Sequence, residues 1–130
     1  MQSPIAPQPP GPALEATAEA ELPLIDPRVM NDWCDDMEKA DVLDVLARVP
    51  HECDKCIVDM RKAIAGCDLP SARRAAHRLK GMASNLGAAR LARVARTIEL
   101  ASPSIEDVAG RMGFLEQASG ATLAALRAYC

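Results

Sequence analysis

The run His77-Arg78-Leu79-Lys80-Gly81 sets an imidazole, an ammonium and a glycine within one and a half helical turns of each other. A nucleophilic ring nitrogen beside a fixed cation, with bare backbone where a second protein can draw close, suits the acceptance of a phosphoryl group on histidine. Lys80, one turn on from His77, is placed to stabilise the phosphoryl oxygens as a charge-assisted partner. Gly81 costs a helix interior about 1 kcal/mol relative to alanine. That cost is understandable if a partner must bring its donor group close to His77.

The helix that would carry these residues can be read by angle. At about 100° per residue, Ala72, Ala76, Leu79 and Ala83 share one narrow sector, which must face the core. His77 lies roughly 130° from the centre of that sector. The same projection gathers Arg73, Arg74, Lys80, Gly81 and Ser84 around it, so the expectation is an exposed imidazole ringed by cations. A single surface histidine is usually a solvated polar residue; here it is the His, Lys and Gly at fixed offsets, on a basic face, that single it out.

Local signals place the supporting elements. Asp26 is a capping residue before Pro27, and a short first helix buries Val29, Met30, Trp33 and Met37, with Trp33 as a packing anchor. From Asp41 to Ala65 the residues Val42, Leu46, Val49, Cys53, Cys56, Met60 and Ile64 form one apolar stripe. Pro50 is expected to kink this helix or split it in two, and Gly66 to end it. Asp68 caps the histidine helix, which enters through Leu69-Pro70 and ends at Leu86 with Gly87 as the left-handed residue. A fourth long segment from about Ala88 to Ala101 buries Leu91, Val94, Ala95 and Ile98. A last helix starts at Ser104, with Asp107 in capping-box position.

Composition points the same way. The 130 residues are 49% hydrophobic but only 2% aromatic, and β-branched residues are scattered, which favours helix throughout. An all-α protein is therefore expected, and the short connectors between its long amphipathic helices imply an antiparallel bundle. Seven of the ten prolines fall within the first 27 residues, so residues 1–23 are expected to be a disordered Pro/Ala-rich tail or linker and 24–130 the folded domain. Of the eighteen acidic residues, fourteen lie between Glu15 and Asp68, while Leu69 to Ile98 holds none. The basic surface is therefore local, and an acidic partner suits it. Five cysteines, no secretory leader pattern and no long apolar run point to a cytoplasmic, non-membrane protein.

Other constellations are weaker. His51, Cys53 and Cys56 have ligand-like spacing, but both cysteines lie on the apolar stripe and no second pair follows, so they read as small core hydrophobes and His51 as solvated. Arg90, Arg93 and Arg96 read first as a solvated face. The net charge of −3 and the lack of interleaved aromatics argue against nucleic acid. No catalytic triad, phosphate loop or carboxylate pair is present, so an autonomous kinase activity is not expected.

The residues His77-Arg78-Leu79-Lys80-Gly81, Leu86-Gly87-Ala88 and Leu91 resemble the signature of histidine-containing phosphotransfer (HPt) domains, and the likeness extends over about residues 24 to 128. The resemblance implies an antiparallel up-and-down four-helix bundle with an additional short N-terminal helix. It implies a phosphocarrier in a two-component phosphorelay: His77, through Nε2, would accept a phosphoryl group from a receiver-domain aspartate and pass it to another receiver. Its partners would be the receiver domains of response regulators and of a hybrid histidine kinase. It would have no cofactor of its own, Mg²⁺ belonging to the receiver, and it is expected to act as a monomer. Met82 departs from the small residue usual in the family and is expected to shape the docking surface together with Arg73, Arg74, Arg78 and Ser84. The competing reading is a non-catalytic helical adaptor that binds an acidic protein through its basic face.

Overall fold

The computed structural model describes residues 22–128; the expected tail lies outside them apart from Leu22 and Pro23. Five helices follow in order: α1 (Pro27–Asp36), α2 (Lys39–Ala65), α3 (Leu69–Leu86), α4 (Ala89–Ala101) and α5 (Ile105–Arg127). Packing runs α2 on α3, α3 on α4, α4 on α5 and α5 back on α2, with α1 set against α2 and α3. Two- or three-residue loops join them, and these contacts give a helical bundle with α1 as the extra element.

The local signals explain the boundaries. Asp26 accepts from the backbone N–H of Arg28 ahead of Pro27, Asp68 accepts from that of Ser71, and Ser104 accepts from that of Asp107; each satisfies a donor that the first turn cannot pair. Gly87 closes α3 in the left-handed region at φ 73°. It also meets α1. The Asp26 N–H donates to the Gly87 carbonyl at 2.7 Å, and a Cβ on Gly87 would stand 2.9 Å from the Val29 side chain.

Of the two outcomes expected at Pro50, the split does not occur: α2 is one continuous helix of 27 residues with the proline inside it. Pro50 is exposed and lacks the N–H that would pair with the carbonyl one turn earlier. At the other end, Gly66 closes α2 as its C-cap, as expected, at φ −90°, and the residue that follows, Cys67, is left-handed at φ 52°.

Met60, Leu79, Leu91, Ile98 and Leu115 centre the core with no more than 2% exposure. Toward its neighbours α3 buries Ala72, Ala75, Ala76 and Ala83, and α4 meets it with Ala95. Small side chains at a helix contact let the axes approach, and close axes let polar side chains at the rim of the α3–α4 seam reach across it. Cys53 and Cys56 are buried in the same core, as their place on the α2 stripe indicated.

Candidate functional site

His77 stands on the outer face of α3 with its side chain 63% exposed. It is not simply ringed by cations. Its nearest charged partner is a carboxylate, Glu99 on α4, whose Oε2 lies 2.6 Å from Nδ1. Glu99 is 17% exposed and its Oε1 also lies 2.9 Å from Lys80 Nζ. Burial pushes the Glu99 carboxyl up, but Lys80 and His77 outweigh it and hold the group below the ordinary glutamate range. An ionised carboxylate only accepts, so Nδ1 carries the donated hydrogen and the lone pair of the neutral ring sits on Nε2.

The other cations named from sequence are turned to specific acceptors. Arg78 pairs with Asp59 at 2.6 Å, and Arg74 donates to Ser71 Oγ at 2.7 Å. Arg73, half-buried, donates to the carbonyl of Ser102 at 2.7 Å. Arg90, read from sequence as part of a solvated face, donates through its guanidinium to the Leu22 carbonyl. Except for Ser71, these acceptors come from elements distant in the chain.

Gly81 is exposed, and a Cβ built on it would meet nothing within 4 Å. Among the described residues, therefore, no contact needs a glycine there. The Gly81 backbone forms part of the wall of a groove of ≈ 830 Å³ that runs from His77 between α1, α2 and α3. Trp33, Met37, Val45, Val49, Met82 and Leu86 make it apolar, while Arg48, Glu52 and Arg78 add charge. Met82 is half-buried and packs on the core as well as lining the groove that His77 borders. Trp33 likewise does both. Ser84 is exposed and lines neither this groove nor the depression on the other side of His77. That second depression, ≈ 610 Å³, is bounded by Arg73, Arg74, Arg78, Glu99 and the exposed Leu100.

Sequence reasoning missed Glu99. The residue lies 22 positions from His77, just past the acid-free stretch, and no spacing rule on α3 finds it. A signal did exist on α4: Glu99 follows Ala95 by one turn and borders Ile98, so it sits at the edge of an apolar stripe. Among the described residues, no group of three or more His, Cys, Asp or Glu side chains is placed to hold a metal ion. No helix there is long and apolar enough to cross a membrane.

Comparison with known proteins places this geometry. The family model of the Hpt domain matches residues 44–129, a span that takes in most of α2 and all of α3, α4 and α5. No curated protein and no solved structure matches the chain.

Proposed function

Because the chain belongs to the Hpt domain family, whose members are phosphocarrier modules of two-component signalling, we propose that it carries a phosphoryl group on His77 between receiver domains. The observation that carries this reading is the exposed imidazole, fixed through Nδ1 by Glu99 at 2.6 Å, beside a glycine that the fold itself does not need. The Nε2 lone pair attacks the phosphorus of a receiver aspartyl phosphate. The P–N bond forms, the P–O bond to the aspartate breaks, and the carboxylate leaves with the electron pair. Glu99, holding Nδ1–H, stabilises the positive charge that grows on the ring. Lys80, already drawn to the Glu99 carboxylate, lies at hand for the phosphoryl oxygens. Reversal of the same step onto a second receiver completes the relay.

The groove from Gly81 to Trp33 is the docking surface in this reading, with Met82 setting partner choice. Arg74 and Arg78 attract the acidic receiver surface. Mg²⁺ belongs to the receiver, the chain acts as a monomer in the cytoplasm, and it has no kinase activity of its own.

The test is incubation with a receiver domain charged with labelled phosphate. Native chain should acquire acid-labile, base-stable phosphate, and His77→Gln should acquire none while keeping its helical circular dichroism, since an exposed side chain contributes little to stability. Labelled His77→Gln would move the site, most directly to His51. A native chain that binds the receiver without labelling would be the adaptor instead.

A further inference from the structure

Three contacts join α3 to α4 in antiparallel order. Arg73 Nη2 donates to the Ser102 carbonyl at 2.7 Å, His77 Nδ1 donates to Glu99 at 2.6 Å, and Lys80 pairs with Glu99 at 2.9 Å. Arg73 and His77 are one turn apart on α3, and Ser102 and Glu99 are about one turn apart on α4. The rungs are therefore stacked, and the first lies directly beside the second.

α4 has little of its own to close its C-terminal end. Its last turn holds no basic residue, and its cap, Ser102, is in extended conformation at φ −101°, ψ 105°, so no left-handed glycine gathers the final carbonyls there. Those carbonyls lack intrahelical donors and carry the negative end of the helix dipole. Arg73 brings a cation and a donor to this end from the neighbouring helix. Ser102 is only 1% exposed, and water is a poor substitute at a carbonyl so enclosed. Arg74, the next residue, is exposed and hydrogen-bonds instead to Ser71 of its own helix.

We propose that Arg73 is a positioning residue for the phosphoacceptor: by tying the end of α4 to α3, it holds the Glu99 carboxylate in register with Nδ1 and so keeps the Nε2 lone pair available. The inference rests on the reading of His77 as phosphoacceptor. It assigns Arg73 an internal role in place of the docking role expected from sequence. Loss of the rung lets the last turn of α4 drift, the Glu99 to Nδ1 bond weakens, and the imidazole relaxes toward the Nε2–H tautomer, which has no lone pair at the reacting nitrogen.

The experiment is ¹⁵N spectroscopy of the His77 ring in the full chain, without receiver, at a pH well above the ordinary histidine range. Native chain should show the Nδ1–H tautomer in excess. Arg73→Met keeps the aliphatic stem and its packing but removes the donor; the Nε2–H form should become the major species. Arg73→Lys, which restores one N–H and the charge, should return most of the native pattern. Phosphoryl transfer by Arg73→Met should slow about tenfold with receiver affinity unchanged. An Arg73→Met ring spectrum identical to native overturns the proposal, as does a transfer loss fully accounted for by weaker receiver binding. If Arg73→Met is partly unfolded, trimethylamine N-oxide restores the compact state, and the same spectrum is read there. The spectrum needs no phosphate, so failure of the native chain to be labelled would count against the relay and leave the tautomer result standing.

Discussion

Gly81 lies within α3 and Gly87 caps it, yet a methyl group added to each would meet opposite surroundings. At Gly87 it would press on Val29 at 2.9 Å from a backbone at φ 73°. At Gly81 it would meet nothing within 4 Å. The C-terminal end of α3 is thus a junction in which the fold uses the glycine twice, for handedness and for room. The outer face of α3 holds a glycine that the isolated fold would exchange for almost any residue with a gain in helix stability. Beside His77, a residue that costs stability and leaves open space among the described residues gives a second molecule room to approach.

This contrast breaks most sharply at Gly81. Gly81→Gln should reduce phosphoryl transfer from a receiver at least a hundredfold, about 2.7 kcal/mol in barrier, while the melting temperature holds or rises; normal transfer in this variant would remove the argument from close approach. Gly87→Ala should do the reverse. Left-handed strain and contact with Val29 should together cost about 2–3 kcal/mol by denaturant titration, and any activity loss should follow the unfolded fraction.

Smaller effects sharpen the two regions further. Lys80→Ala should slow transfer by about 1–2 kcal/mol and shorten the phosphohistidine lifetime without a large change in stability, and native transfer should weaken as salt screens the basic face. Salt-independent transfer with an unaffected Lys80→Ala would shift recognition to the apolar groove around Met82. At the other end of α3, Cys67→Gly should stabilise the chain by about 0.5–1 kcal/mol, because φ 52° suits glycine better than cysteine.

The slightest effect should be seen in acid. The Glu99 carboxyl lies below its ordinary value of 4.5 in the folded chain, so its contribution to stability is full above that value and is lost as pH falls through the depressed one. Asp26 and Asp68, lowered by their hydrogen bonds to Arg28 and Ser71, act in the same direction. Glu99→Gln should therefore flatten only part of the acid limb in thermal melts recorded below about pH 4.5. An unchanged limb would mean that the Glu99 contacts are worth nothing to the fold.

What could be read from the sequence divides along the same line. The ends of α3 and the starts of α1 and α5 were legible because Asp26, Asp68, Gly87 and Ser104 act on backbone groups within a few residues of themselves. His77, Lys80 and Gly81 were legible for a similar reason, since one helical period relates them. Pro50 was ambiguous because its effect depends on whether the unpaired acceptor meets water, which burial decides. Glu99 was invisible, and with it the destinations of Arg73 and Arg78, because each contact crosses between helices and depends on how closely α2, α3 and α4 approach. The core alanines that permit that approach carry no sign in sequence of which polar side chains they bring together.

The buried thiols of α2 give the unmodified protein an internal stopwatch. Burial raises both groups, offset in part for Cys53 by Ser119 and for Cys56 by Arg78, and the thiolate is the form that alkylating reagents attack. Cys34 and Cys67 are exposed and should be modified at once, whereas Cys53 and Cys56 must wait for the helices to part. Their lag therefore clocks local opening of the bundle. Because Cys56 lies against Arg78, the neighbour of His77 in the chain, a docked receiver that clamps α3 to α2 should lengthen the Cys56 lag, which gives a record of engagement that involves no phosphate.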